Sequence, residues 1–216
     1  MLFYGALGSV EQPYLPAGST TTIADDPTWR AMTTADFAKF DLIVIGAAGD
    51  PFGGSGTPTS ASLQAAFDTR ATWGAAVNGR IEVLGLDPGF HAVRGTTGAT
   101  TFAKASLQWL STSAPKTTSL YVNSDWGVRK LDFLSPFGAF SSSASNYDIV
   151  AVTSATHATM TGSTSVSLSN WRASGHSMVT IPASFTEIAT GTSTGGGTDV
   201  TGTSVAVRDS AMICAP

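Results

Sequence analysis

An α/β fold on an open, largely parallel sheet, in one domain spanning residues 1–216, is what this sequence predicts. Three observations carry the prediction. Short apolar runs rich in β-branched residues recur along the chain, as in strands covered on both faces. Segments with helical apolar spacing separate them, the pattern of βαβ units with right-handed crossovers. At 216 residues the chain can bury a core without disulfide or metal staples.

Taken in order, Asp41-Leu42-Ile43-Val44-Ile45-Gly46 is the first strong strand signal, a β-branched run ending in glycine. Before it, Thr33-Thr34-Ala35-Asp36 has the form of a capping box ahead of Phe37 and Phe40. From Ser60 to Val77, the positions Leu63, Ala66, Phe67, Trp73 and Val77 follow helical spacing, and Asn78-Gly79 is expected to stop that helix. Arg80-Ile81-Glu82-Val83-Leu84-Gly85-Leu86 is the second strand. A helix over Ala99–Leu110 presents Phe102, Ala103, Ser106, Leu107 and Leu110 on one face. The third strand is Ser119–Val122 and the fourth Tyr147–Val152, with Ser141–Asn146 expected as a loop between them. Ser177–Ile181 and Glu187–Ala189 are weaker strand signals, and Ser204–Arg208 is expected to close the sheet. The Gly/Thr-rich stretch Gly191–Gly202 reads as a flexible link or a wide hairpin within a tail over 191–216. No period of about 20–50 residues repeats, which argues against a solenoid.

Composition bounds the function. Hydrophobic residues make up 42% of the chain, near the globular norm, but charged residues only 12%, about half the usual share. Ser, Thr, Gly and Ala fill the difference, so the surface is polar through hydroxyls rather than ions. Such a surface fits an extracellular, cell-surface or virion protein; biased genomic composition gives the same figures. The net charge is −4 and the cations are scattered, which argues against nucleic acid as a partner. No apolar run approaches the ~20 residues of a membrane span. Met1-Leu2-Phe3-Tyr4-Gly5 has no signal-peptide pattern. Either the general export route is not used, as for a virus particle released by lysis, or a leader has been removed. Cys214 is the single cysteine, so no internal disulfide can form, and it reads as a buried residue of a terminal strand. With three histidines beside it, no metal site and no cofactor are expected.

In open parallel sheets ligands bind beyond the carboxyl ends of the strands. The polar residues there are Asp50 after the first strand, Asp87 and His91 after the second, Asp125 and Trp126 after the third, and His157 after the fourth. His176 precedes a weaker strand. An Asp/His/Asp grouping can orient an imidazole as a general base, so Asp87, His91, Asp125 and His157 are the catalytic candidates. Asp50, Trp126 and His176 are the binding candidates; an indole beside a carboxylate is a sugar platform. The structural reading stands beside each. Asp87 can initiate a turn with Pro88, His91 and His157 can cap or pack locally, and Trp126 can cover the sheet edge. There is no G-x-S-x-G elbow, and the glycine-rich stretch Gly49–Gly56 lacks the Gly-Lys-Ser/Thr ending of a phosphate loop.

The order of several motifs resembles class I glutamine-amidotransferase-like domains, in the branch near the trehalose-utilisation proteins. They are Thr28-Trp29-Arg30 running into Phe40–Gly46, then Gly85-Leu86-Asp87-Pro88-Gly89-Phe90-His91, Ala155–Met160, Leu168-Ser169-Asn170-Trp171 and Gly175-His176. The resemblance covers roughly residues 20–190. It implies a flavodoxin-like three-layer sandwich. It also implies a nucleophilic Cys on the turn after a central strand, assisted by His and Glu. Here that turn carries Asp87-Pro88-Gly89 and no Cys, so the thiolate that amidotransferase chemistry needs is missing. The expected function is therefore a non-catalytic structural or interaction protein, a pseudoenzyme whose partners are other protein chains, by self-assembly or on a particle surface. Apolar residues near the start, Leu2, Phe3, Tyr4 and Tyr14, would dock on a neighbour unless Leu2-Phe3-Tyr4 is an internal strand. The alternative is a hydrolase or carbohydrate-binding module using the Asp and His residues at the strand ends.

Overall fold

Five short strands run parallel through the centre of the molecule, in the spatial order β2 (Thr22–Ala24), β1 (Leu2–Tyr4), β3 (Leu42–Ile45), β5 (Thr118–Asn123) and β4 (Val77–Leu84). The computed structural model describes residues 1–5, 10–46, 63–124, 131–194 and 198–209. Beyond β4 every pairing is antiparallel. β10 (Val200–Arg208) joins β4 through Val205–Arg208. It also pairs with β8 (Gly175–Thr180) at Thr203 and with β9 (Thr186–Ser193) along its length. Thr203 and Val205 each pair with β9, so β4 and β8 must share the opposite edge of β10. β6 (Ser141–Tyr147) pairs with β8, and β7 (Ile149–Val152) with β9. The result is a curled mixed sheet whose β8–β6 ribbon continues past the end of β4, where Leu86 bridges Gly175.

Strand alternation sends side chains into two cores. On one face Leu2, Tyr4, Ile43, Ile45, Ile81, Val83, Leu120 and Val122 meet α1 (Asp26–Ala31), α2 (Thr34–Phe37), α3 (Gln64–Asp68), α4 (Arg70–Ala76) and a 3₁₀ turn over Asp132–Phe137. Tyr4, Trp29 and Phe37 stack edge to face there, with both centroid pairs at 4.9 Å. The other face carries Phe3, Leu42, Val44, Leu84 and Tyr121. It packs against α5 (Pro88–Val93), α6 (Thr97–Ser111), α7 (Ser165–Leu168) and a 3₁₀ turn over Ala158–Met160. In the antiparallel half, Tyr147 lies against Gly175 and Gly191, where a Cβ would collide with its ring, and its hydroxyl meets Ser204 Oγ at 2.6 Å. One side chain thereby ties β6, β8, β9 and β10 together.

Several expectations change. Leu2, Phe3 and Tyr4 are wholly buried in an internal strand, so they are not a docking segment. The helix expected over 60–77 is broken at Thr69 into α3 and α4, and residues 60–62 lie outside the described residues. Asn78-Gly79 is part of β4 rather than a helix stop, since Asn78 Oδ1 accepts the Thr118 N–H. Ser141–Asn146 is strand, not loop: pairing with β8 overrides the low β-propensity of serine. The run Tyr147–Val152 breaks at Asp148, and β7 is antiparallel with alternating burial rather than parallel and buried on both faces. Of the two readings of Gly191–Gly202 the wide hairpin holds, with Gly191–Ser193 in β9 paired antiparallel to Val200–Gly202 in β10 and residues 195–197 outside the described residues. The capping box at Thr33 is present, with Asp36 completing it. Cys214 lies outside the described residues.

Candidate functional site

The chain passes from β1 to β2 on one side and to β3 on the other, so the crevice of an open α/β sheet falls at the carboxyl ends of β1 and β3. Glu11 occupies that place and is wholly buried. Its carboxylate sits between Gly46, at the end of β3, and Gly89, in the first turn of α5; a Cβ at either glycine would run into it. Two glycines thus make room for one acid. On the same face lie Tyr121 and Asn123 of β5 and Glu82 of β4, all wholly buried.

The residues expected to act fall into different places. Asp87 is 3% exposed and caps α5, its carboxylate accepting the Phe90 N–H at 3.3 Å. His91 is buried against Trp171, and its Nε2 bonds the Ala173 carbonyl at 2.9 Å. His176 approaches His91 from β8, with Nδ1 2.8 Å from Asn146 Oδ1. Burial, then the neighbouring His91, lower the His176 pKa to about 4, against the pull of Asp148. His157 is elsewhere. Its Nδ1 caps the 158–160 turn and its ring meets Trp109 edge-on at 4.8 Å, with Asp209 3.4 Å from Nε2. The Trp109 carbonyl takes the Arg80 guanidinium midway along β4, whereas Asp87 and His91 follow its end. His157 contacts Trp109, Thr159 and Asp209, and His91 contacts Phe90, Trp171 and Ala173, so the two imidazoles have different neighbours. Asp50, Asp125 and Trp126 lie outside the described residues.

A buried polar line crosses the core under α6. Glu82 Oε1 accepts from Thr159 at 2.6 Å and Ser106 at 3.2 Å, and those hydroxyls are 2.9 Å apart. Glu82 Oε2 and the Tyr121 hydroxyl have no hydrogen-bond partner among the described residues. An ionised Glu82 is a wholly buried charge, which costs several kcal/mol. A neutral Glu82 leaves one O–H short of a partner, at about 1–3 kcal/mol. Burial raises the Glu82 pKa to about 7, against the two hydroxyl bonds that lower it, so the neutral form prevails below that pH. Burial, then Glu11, Glu82 and Asp87, push the Tyr121 phenol well above its usual range.

Residues 170–173 carry three left-handed non-glycine positions: Asn170 at φ 63°, Arg172 at φ 65° and Ala173 at φ 77°. Asp148 explains them. Its Oδ1 accepts the N–H groups of Ala173 at 2.6 Å and Ser174 at 3.0 Å, and its carbonyl accepts that of Asn170 at 2.9 Å. The nest that such a backbone forms for an anion is filled by the chain's own carboxylate.

Glu11, Glu82, Tyr121 and Asn123 escape the strand-end rule. Glu82 has a signal, a lone acid inside the apolar run Ile81–Leu86; Glu11 has none near it in sequence. Among the described residues no group of three or more His, Cys, Asp or Glu is placed to hold a metal ion. No described helix is long and apolar enough to cross a membrane. Comparison with protein-family models, curated proteins and solved structures finds no match to this chain.

Proposed function

We propose that this chain is a non-catalytic structural or interaction protein of an extracellular, cell-surface or virion assembly. In this reading it is built on a degenerate amidotransferase-like scaffold with the flavodoxin-like layering that family implies. The observation that carries the reading is the turn between β4 and α5. Where the resemblance calls for a nucleophile, Asp87 stands, buried and engaged as the cap of α5. His91, four residues on, holds its Nε2 on the Ala173 carbonyl and packs against Trp171. The hydrolase or carbohydrate alternative calls for three of Asp87, His91, Asp125 and His157 to converge; His157 packs on Trp109 and Asp209 instead, and Asp125 lies outside the described residues.

A charge-poor surface favours contact between chains, because few ion pairs must be desolvated and little net charge repels. Val166 on α7 is 82% exposed and Ile149 on the adjoining β7 is 49% exposed, an apolar pair on packed neighbours. Light scattering across a range of concentrations tests the reading. The expected result is a mass above that of the 22.1 kDa chain, growing with concentration. A strict monomer at every concentration counts against self-assembly and turns attention to a partner of another kind.

A further inference from the structure

Glu82 is an acid with no access to solvent, placed where two structural layers meet. It stands on β4 beside Tyr121 of β5, and its only hydrogen-bond partners among the described residues are Ser106 of α6 and Thr159 of the 158–160 turn. α6 and that turn are in turn packed on each other. Among the described residues no cation bonds its carboxylate: Arg80, two residues earlier on the same face of β4, gives its guanidinium to the Trp109 carbonyl of α6. Tyr121 pairs with Glu82 from β5, and the Glu11 and Asp87 carboxylates act on that same phenol. Lys104 of α6 is exposed, and Arg208 of β10 reaches Phe137 and Phe185 on the other face of the sheet. His157 is turned to Trp109 and Asp209.

We propose that Glu82 is a protonation-operated latch: as the neutral acid it lets α6 and the 158–160 turn close over β4, and its ionisation loosens that layer. Opening admits water to the carboxyl group and returns it to ordinary behaviour, so the closed form holds a proton that the open form releases. This holds whether or not the chain self-assembles.

Linkage sets the size of the effect. Between the ordinary glutamate value of 4.5 and the value of about 7 in the closed form, the open population rises about tenfold per pH unit, then levels off. Native-state hydrogen exchange of the α6 and 158–160 amides, corrected for base catalysis and followed from about pH 5 to about pH 8, reads it directly. The expected result is a rise of roughly a hundredfold in opening for the unaltered protein and a flat profile for Glu82→Gln. Thr159→Val keeps the acid but removes a donor to its carboxylate, so the plateau moves to higher pH. Should Glu82→Gln not fold, that upward displacement in Thr159→Val carries the test alone. Equal slopes in the unaltered protein and Glu82→Gln, or an unmoved plateau in Thr159→Val, overturn the latch.

Discussion

Glu82 and His176 pull the pH dependence of global stability in opposite directions. The raised pKa of Glu82 contributes stability that is whole below 4.5 and is lost as pH rises to about 7, on the order of 3 kcal/mol in total. The lowered pKa of His176 contributes stability that is whole above 6.5 and is lost as pH falls toward 4. The two windows overlap, so the unaltered protein shows little net pH dependence between about pH 5 and about pH 6.5. Urea unfolding across that range separates them: stability of Glu82→Gln rises with pH, and stability of His176→Gln falls. Parallel curves for both variants contradict the assignment. The 170–173 turn makes a second residue-scale prediction. Ala173→Gly leaves stability within about 0.5 kcal/mol, because relief of the left-handed strain offsets the entropy of glycine. Asp148→Ala costs about 2 kcal/mol, because two backbone N–H groups lose their acceptor.

Among the elements, α6 and α7 meet at Gly98, where a Cβ would strike the Ser167 carbonyl. Gly98→Ala improves helix propensity by about 1 kcal/mol but forces the two helices apart, so a net loss of about 1–2 kcal/mol is expected in chemical denaturation. A stabilised variant means the contact is soft. The outer edge of β7 is managed in the same region. Ser169 and Ser165 of the α7 segment accept the Val150 and Val152 N–H groups, both at 2.9 Å, so hydroxyls block an edge that most proteins guard with charge. β6 shows why element type was only partly legible. Ser-Ser-Ser-Ala-Ser-Asn has neither β-branching nor apolar alternation, and it is a strand because β8 offers a ladder. In contrast α6 and β3 were readable, since their apolar spacing is strong and local.

At the scale of the whole molecule, the prediction concerns association. Replacing Ile149 and Val166 together with lysine removes the exposed apolar pair beside β7 and adds charge to a charge-poor surface. The expected outcome is a lower mass by light scattering with unchanged far-ultraviolet circular dichroism; an unchanged mass places the contact elsewhere. The sequence by itself determined the α/β class, the apolar strands β3, β4 and β5, the helix α6 and the lack of a cysteine after β4, because each is written in a few adjacent residues. Only the tertiary structure decided that β1 is an internal strand, that the pairings beyond β4 are antiparallel, and that His157 and His91 have different neighbours. It alone brought Glu11 beneath Gly46 and Gly89, and Thr159 onto Glu82. The physical reason is sequence distance: residues 77 apart in the chain, as Glu82 and Thr159 are, share a hydrogen bond that no local pattern encodes.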